Sequence, residues 1–278
     1  MYTEPTKASA LRRRLRRWYA RRGRQLPWRA TRDPYAILVS EVMLQQTQVA
    51  RVLPAYSAFL ERFPTLRALS RVTLADVLRA WSGLGYNRRA RDLHRIARAN
   101  RSGLPRDVAS LDLLPGVGAY TAGAVACFAH GSRVAFADTN IRRVLGRIVL
   151  GQVATEREAV AIDAELMPRD AARWHHALMD LGATICVSRA PRCDACPVAD
   201  SCRSRGRVQR SAPRRQAAYA TSTRRLRGLA LKRLAASEGV ARRTLARELA
   251  DIRADHVIDA LIADGLVVER GRALSLPA

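Results

Sequence analysis

The chain has 278 residues, 48% of them hydrophobic, which is enough to bury a core and leaves room for two domains. It carries 49 Lys and Arg against 24 Asp and Glu, a net charge of +25 at pH 7, so nucleic acid is the expected partner. No stretch approaches the ~20 uninterrupted apolar residues of a membrane span, and the N-terminus is arginine-rich where a signal peptide would be apolar. We therefore expect an intracellular protein that does not bind membranes.

The positive charge is concentrated in two segments. Residues 12–24 hold eight arginines together with Trp18 and Tyr19, a pattern that fits either a DNA-facing helix or a solvated one. Between Asp200 and Glu238 there are eleven basic residues and no acid. Because the run S-R-G-R-V-Q-R-S-A-P-R-R-Q in this segment has no apolar period, residues 206–223 are interpreted as a basic linker.

Helical periodicity dominates the chain up to the cysteine-rich segment. Pro34 follows Asp33, a favourable cap, and apolar residues repeat at spacings of three and four as far as Leu53, which predicts one helix over 34–53. The same period predicts helices at 66–69, 73–81, 88–100, 119–129, 140–150, 156–167 and 173–181. Strand-like alternation is absent from this part of the sequence, so the fold class is mainly α.

After about residue 223 the pattern changes. Apolar spacing predicts helices around 226–234, 244–249 and 257–262, and the run L-V-V-E-R-G-R-A-L-S-L alternates around a glycine like two short strands. Three helices and a hairpin predict a winged-helix-like domain over 224–278. Its third helix would be the one to read a DNA groove, but it carries Asp255, Asp259 and Asp264 and no Lys or Arg. A structural or protein-docking role fits that charge better.

Four cysteines form a spacing of C-x6-C-x2-C-x5-C. They are Cys186, Cys193, Cys196 and Cys202. Disulfides are rare inside cells, and thiolates this close together repel one another unless a cation holds them, so a metal or cluster is predicted. Structural zinc sites usually pair two short knuckles, whereas a single C-x-x-C favours an iron-sulfur cluster. The isolated Cys127 is interpreted as a small buried side chain.

A glycine-rich turn opens the run L-L-P-G-V-G-A-Y-T-A-G-A at 113–124. Gly116 and Gly118 would permit positive φ and a close backbone approach, so that N–H groups at the helix start face a phosphate. An ordinary helix-helix turn is the alternative interpretation.

Two carboxylates have a local context that suits either acid-base chemistry or a structural role. Glu41 shares a helix face with Ile37, Leu38 and Leu44, apolar neighbours that are expected to raise its pKa toward that of a general acid. Asp138 lies where V-A-F-A-D-T-N meets a helix start, so it is either a simple cap or a catalytic group.

Together, the turn at 114–118, the D-T-N at 138–140 and the cysteine spacing resemble the helix-hairpin-helix (HhH-GPD) DNA glycosylases that carry a 4Fe-4S cluster. The run S-E-V-M-L-Q-Q-T-Q-V at 40–49 is similar to the MutY-type adenine DNA glycosylases in particular. The resemblance covers about 26–202. It implies a six-helix barrel lobe over 33–135, which includes the hairpin, and a cluster-containing helical lobe built from 1–32 and 136–205.

The resemblance also assigns roles to individual residues. Glu41 would protonate the flipped purine, and Asp138 would stabilise the oxocarbenium-like sugar or bond to it transiently. Asn140 and Tyr120 would hold the carboxylate and the attacking nucleophile. Relatives such as endonuclease III, which also cut the strand, have a lysine where Tyr120 stands. Tyrosine forms no Schiff base, so the resemblance implies a monofunctional glycosylase.

DNA contacts are expected at three places. The hairpin would grip the DNA backbone and bind a monovalent cation through carbonyls; its residues are Pro115, Gly116, Val117 and Gly118. Base extrusion needs a wedge to fill the stack, and the candidates are Gln45, Gln46, Leu84, Tyr86 and Asn87. The two glutamines also fit an ordinary polar helix face. Arg189 and Arg192, in the cluster loop, could face phosphates.

Two departures from the MutY pattern leave the substrate open. Asn87 stands where a second tyrosine is usual, and the winged-helix-like segment replaces the usual NUDIX-like domain that recognises 8-oxoguanine. We carry three hypotheses: an adenine glycosylase acting opposite 8-oxoguanine or guanine, a uracil or thymine mismatch glycosylase, and a non-catalytic DNA-binding module. In the first two, the partners are damaged duplex DNA and a downstream abasic-site enzyme, the chain is a monomer, and it is cytoplasmic, associated with the nucleoid if bacterial.

Overall fold

The computed structural model describes residues 4–207, 218–237 and 239–278. The described residues form fourteen α-helices and one small sheet. The first seven helices are α1 Pro5–Arg22, α2 Pro34–Leu44, α3 Val49–Arg62, α4 Leu66–Arg71, α5 Leu74–Ala80, α6 Arg88–Ala99 and α7 Val108–Asp112. The others are α8 Ala119–His130, α9 Thr139–Val149, α10 Glu156–Leu166, α11 Ala171–Thr184, α12 Thr223–Ala235, α13 Arg242–Leu249 and α14 Ala254–Ala263. The strands are β1 Val240–Ala241, β2 Val268–Arg270 and β3 Ala273–Ser275.

The predicted mainly α fold is confirmed, and most predicted helices are present. The prediction of a single helix over 34–53 is wrong, because α2 ends at Leu44 and α3 begins at Val49. Gln46, between them, has a φ of 55°, a left-handed conformation that a continuous helix excludes. Most of the predicted linker, residues 208–217, lies outside the described residues. Within the described part of the chain, no helix is both long and apolar enough to cross a membrane.

The chain divides into two compact units. The first contains residues 1–37, 106–113 and 117–214, and the second contains residues 38–105, 114–116 and 215–278. Each unit therefore combines segments that are far apart in the sequence.

The core of the first unit is built where α1, α9, α10 and α11 pack together, with Leu15, Leu145 and Leu178 fully buried among them. One carboxylate lies inside this core. Asp163 accepts a hydrogen bond from Trp174 Nε1 at 2.7 Å, and its other oxygen is 2.7 Å from His175 Nε2. Because a buried polar group is tolerated only when it is hydrogen-bonded, this network fixes the register of α10 against α11.

A second buried carboxylate attaches the segment after α1 to α11. Asp180, whose side chain is fully buried, pairs with Arg24 at 2.7 Å and with Arg29 at 2.8 Å. Burial opposes ionisation, but the hydrogen bonds from these two arginines keep the pKa of Asp180 below its usual value. Residues on both sides of the resemblance boundary at residue 26 thus belong to the same packed unit.

In the second unit, α12, α13 and α14 pack with the antiparallel sheet, whose strand order is β1-β3-β2. Leu226, Leu234, Val257 and Leu261 fill the interior, following the predicted helical period. The predicted hairpin is present and turns at Gly271, which has a φ of 62°. The two-residue strand β1 was not predicted, because two residues show no period.

Arg89 in α6 joins the end of α2 to the loop at residues 83–86. Its guanidinium donates to the carbonyls of Val42 at 2.9 Å, Met43 at 2.8 Å and Gln45 at 2.6 Å. It also donates to the carbonyls of Leu84 at 3.2 Å and Gly85 at 2.9 Å and to the hydroxyl of Thr47 at 3.1 Å. The last carbonyls of a helix have no intrahelical donor, so this side chain supplies the C-terminal cap of α2.

We predict that Arg89→Lys lowers the free energy of unfolding by at least about 2 kcal/mol, because an ammonium has three donors and leaves buried carbonyls unsatisfied. Urea unfolding followed by circular dichroism measures this change. Arg95→Lys in the same helix is the control, since Arg95 is 59% exposed and should change stability by less than about 0.5 kcal/mol. Equal stability of the two variants would contradict the role given to Arg89.

Candidate active site

Glu41 lies in α2, in the second unit. It is 6% exposed, and its neighbours Ile37 and Leu38 are buried, as the apolar helix face predicted. Asp33 begins this helix by accepting a hydrogen bond from the backbone N–H of Tyr35 at 3.0 Å. Glu41 is therefore a carboxylate on a rigid helix, largely withdrawn from water.

The loop at 45–48 follows directly after α2. Gln45 and Gln46 lie beyond the last helical residue, so the interpretation of the pair as a polar helix face is wrong. Gln46 is exposed and adopts the left-handed conformation, while Gln45 Nε2 donates to the carbonyl of Gly116 at 3.3 Å. The carbonyl of Gln45 is in turn bonded by Arg89, which restrains the path of the loop.

The G-L-G-Y-N segment forms a tight loop before α6. Gly83, Gly85 and Tyr86 have φ values of 87°, 70° and 48°, so three of four consecutive residues are left-handed. Tyr86 is 37% exposed and its ring lies 5.4 Å from the guanidinium of Arg89, whereas Leu84 is 4% exposed. Asn87 stands at the N-terminus of α6 without forming a side-chain cap.

The turn between α7 and α8 has the glycine-dependent geometry at one position and not at the other. Gly116 has a φ of 76°, and a Cβ there would be 3.2 Å from Asp92. Gly118 has a φ of −114°, so it does not use the positive φ that glycine permits. Gly118 precedes α8 without a side-chain cap, Pro115 is exposed, and Val117 is 7% exposed. The backbone at the start of α8 is thus not covered by a capping side chain.

Asp138 is the N-cap of α9, in the first unit. One carboxylate oxygen accepts a hydrogen bond from Ile141 N at 2.7 Å, and the other accepts from Asn140 Nδ2 at 2.7 Å. The structure therefore brings Asp138 and Asn140 together as predicted by the D-T-N motif. Tyr120, in the first turn of α8, packs edge-on against Phe136 with ring centroids 5.6 Å apart.

Arg143 fixes the Asn140 side chain and was not found from the sequence. It donates to Asn140 Oδ1 at 2.7 Å, to the carbonyl of Gly182 at 2.8 Å and to the carbonyl of Cys186 at 2.7 Å. At Gly182, a Cβ would be 2.6 Å from the Cβ of Asn140, so only glycine fits there. The signal available in the sequence was the position of Arg143, three residues after Asn140 on the same helix.

The four spaced cysteines line one cavity in the first unit. Arg147 donates to Cys186 Sγ at 3.4 Å and, through the same guanidinium, to the carbonyl of Val187 at 2.8 Å. Burial raises the pKa of Cys196 to about 11, with a smaller contribution from the neighbouring cysteines. Such thiols become thiolates when a cation binds between them.

The chemistry of the donor set in this cavity, four thiols, is the one that a cluster with thiolate ligands needs. Apart from the four sulfurs, its walls are apolar side chains, three arginines and Ser204, with no carboxylate among the residues described there, a surrounding suited to a group of net negative charge. Among the described residues, no group of three or more His, Cys, Asp or Glu side chains has the arrangement that would hold a metal ion.

Cys127 is separate from these thiols, as expected. It is fully buried in α8 beside His175, and burial raises the pKa of its thiol to about 12. Arg189 is exposed in the cysteine loop. Arg192 is also exposed, and its guanidinium donates to the carbonyl of Thr184.

Comparison with known proteins identifies the family. The protein-family model that is described as "HhH-GPD superfamily base excision DNA repair protein" matches residues 39–169. The chain is 44% identical over 267 residues to an adenine DNA glycosylase of Mycolicibacterium smegmatis, with 90% of each chain covered. It is 43% identical over 267 residues to an adenine DNA glycosylase of Mycobacterium tuberculosis, covering 90% of this chain and 88% of the relative.

A solved structure supports the same assignment. A thermostable thymine-DNA glycosylase matches with a TM-score of 0.67 at 27% identity, covering 72% of this chain and 97% of that one. The shared fold therefore extends over most of the helical region, and the sequence similarity extends over nearly the whole chain. The chain belongs to the HhH-GPD superfamily of base excision DNA repair proteins and, within it, to the adenine DNA glycosylase family.

Proposed function

We propose that this chain is a DNA glycosylase that hydrolyses the N-glycosidic bond of adenine mispaired with 8-oxoguanine or guanine in duplex DNA. The observation that carries the proposal is the Asp138 carboxylate, oriented by Ile141 N and by the Asn140 amide at the start of α9. A fixed carboxylate is what a developing positive charge on the sugar requires. The identity to adenine DNA glycosylases over 90% of the chain supports adenine as the base.

In the proposed reaction, the bond between C1′ of the sugar and N9 of adenine breaks. Glu41, which is 6% exposed in α2, donates a proton to the departing purine. Asp138 stabilises the sugar cation, while Asn140 and Tyr120 hold the carboxylate and the attacking water. Addition of that water to C1′ leaves free adenine and an abasic site.

The DNA backbone is proposed to lie against the hairpin at 115–118. The uncapped start of α8 and the left-handed Gly116 leave main-chain N–H groups available to a phosphate, and the hairpin carbonyls suit a monovalent cation. For the wedge we favour one of the two glutamines, because Gln46 is exposed on a loop that Arg89 restrains. Arg189 and Arg192 are proposed to face phosphates from the cysteine loop.

We propose a 4Fe-4S cluster at the four cysteines, held by Cys186, Cys193, Cys196 and Cys202. The cluster would cross-link the loop after α11 and would stabilise this loop through its iron-thiolate bonds. The N–H donated by Arg147 to Cys186 Sγ would partly neutralise the charge of the bound cluster.

A pyrimidine mismatch glycosylase is the second candidate. It is favoured by Asn87, at the place where MutY-type chains have a tyrosine, and by the likeness to a thymine-DNA glycosylase. The higher identity and coverage of the adenine DNA glycosylases favour adenine over this alternative.

The cellular setting follows from the substrate. An enzyme that acts on damaged duplex DNA works where the genome lies, which is the cytoplasmic nucleoid in a bacterium. Because its product is an abasic site, an enzyme that cleaves abasic DNA must act next. A single chain supplies both carboxylates and the cysteines, so we propose that it acts as a monomer.

We predict that wild-type protein releases adenine opposite 8-oxoguanine in single-turnover assays and leaves uracil and thymine opposite guanine intact. Glu41→Gln should lower the rate about 10²–10⁴-fold by removing the general acid, and Asp138→Asn roughly 10²–10³-fold by removing the fixed charge. Base release is measured on labelled duplexes after alkali treatment.

Glu61→Gln and Asp112→Asn are the matched controls for these two variants, because they make the same chemical changes at exposed positions. Both should keep the wild-type rate. Release of uracil or thymine with adenine untouched would support the second candidate, and full activity of Asp138→Asn would refute the role of Asp138.

Because a tyrosine stands at position 120, we predict that base removal is not coupled to strand cleavage. We expect no borohydride-trapped complex with DNA, because no amine stands at this position to form a Schiff base. Denaturing gels measure the covalent complex, with a bifunctional endonuclease III as the positive control. A trapped complex together with strand cleavage in the absence of alkali would contradict the monofunctional assignment.

Purified protein is predicted to contain iron and acid-labile sulfide in equal amounts and to show the broad visible absorption of an iron-sulfur protein. Cys196→Ser should lose this absorption because it removes one of the four thiolates, whereas Cys127→Ser should keep it. Absorption spectra and metal analysis test both variants. Zinc in place of iron in freshly prepared protein would overturn the cluster assignment.

A further inference from the structure

The C-terminal helices carry their charges in an unusual distribution. The acidic residues of α14 are engaged by arginines: Arg242 contacts Asp255 at 3.2 Å and Asp259 at 2.5 Å. Asp264, at the end of α14, is bound by Arg88 and Arg227, each at 2.5 Å. The helix that reads DNA in winged-helix domains therefore carries carboxylates in this chain, and the arginine beside it is already paired with them and not with a phosphate.

Helix α12, in contrast to α14, carries basic side chains. Arg224 and Arg227 are three residues apart and Lys232 follows five residues later, and all three line the same groove together with Leu231 and Ala235. Lys232 is exposed to solvent, and Arg224 is partly exposed. One face of α12 is thus a basic stripe directed into a groove.

The opposite wall of this groove is formed by the two loops that Arg89 restrains, residues 45–48 and 82–87. Arg51 and Arg88 add positive charge on that side. Arg224 Nη1 donates to the hydroxyl of Tyr86 at 3.1 Å, so a side chain of α12 holds the aromatic ring of the G-L-G-Y loop. All of these residues belong to the second unit.

The groove has the size and charge of a site for a polyanion. Its volume of about 1320 Å³ exceeds the roughly 300–1,000 Å³ of small-molecule pockets. Among the described residues that line it, Asp264 is the only carboxylate, and that group is already bound by Arg88 and Arg227. Tyr219, 63% exposed, adds an aromatic surface at the edge of the groove.

We propose that this groove binds the sugar-phosphate backbone of one DNA strand, so that the C-terminal segment contacts DNA through α12 and not through α14. The inference rests on the proposed function, because a DNA glycosylase supplies the strand. In this arrangement α12 and the loops 45–48 and 82–87 hold the same strand from two sides. Arg224 also positions Tyr86 beside this strand through its hydrogen bond to the Tyr86 hydroxyl.

The test is the salt dependence of binding to an undamaged duplex, measured by fluorescence anisotropy with the full chain. Each phosphate contact contributes about one to the slope of log Kd against log salt concentration, so the double variant Arg224→Gln/Lys232→Gln should lower the slope by about 2. The double variant Arg243→Gln/Arg247→Gln removes the same charge from exposed positions of α13 that do not line the groove, and its slope should equal that of wild type.

Lys232→Gln alone provides a second measurement that leaves the Tyr86 contact intact, and it should lower the slope by about 1. Thermal unfolding of every variant shows that the fold is kept. A groove variant whose slope matches wild type, or falls no further than that of the α13 control, overturns the proposal. Binding is measured on an undamaged duplex and adenine release on a duplex with adenine opposite 8-oxoguanine. Groove-dependent binding to the first together with no release from the second would contradict the proposed function and leave the groove assignment standing.

Discussion

Seven acceptors surround the guanidinium of Arg89, and the geometry of the second unit depends on this cluster of hydrogen bonds. Three of the acceptors are carbonyls at the end of α2 or just beyond it, and three are carbonyls of the left-handed loop before α6. Burial lowers the pKa of Arg89 to about 10, still well above neutral pH, so the group stays charged and keeps all its donors. One side chain thereby holds the end of the helix that carries Glu41 and the loop that carries Tyr86 in a fixed relation.

Arginines also hydrogen-bond to buried acceptors in the first unit. Arg143 connects Asn140 to the carbonyl of Cys186, and Arg147 connects Cys186 Sγ to the loop that follows it. Asp180 is held by Arg24 and Arg29 in a similar way. A planar group with five donors suits these positions because it satisfies several main-chain acceptors at once, which lysine cannot do. This requirement gives a structural reason for part of the excess of arginine over lysine.

The sequence predicted the mainly α fold, the cysteine cavity, the buried face of Glu41 and the Asp138–Asn140 pair, because each depends on local period or spacing. It did not predict the break after Leu44, since Gln45 and Gln46 continue a helical pattern and the break depends on Arg89, more than forty residues away. The signal for Arg89 was its phase with Leu93 and Ile96 on the apolar face of α6. The domain boundaries at 32/33, 135/136, 205/206 and 223/224 stay predictions.

The net charge of the chain overstates the number of cations that DNA can contact. Arginines that are buried against carbonyls or carboxylates, such as Arg29, Arg89 and Arg147, are not available to release counterions from a phosphate backbone. The cations that remain accessible are distributed unevenly, since those near α14 are matched by acids whereas the groove beside α12 has one carboxylate, itself already paired. The acids therefore decide where unpaired cations remain on the second unit, because arginines lie beside both helices although α14 itself contains none.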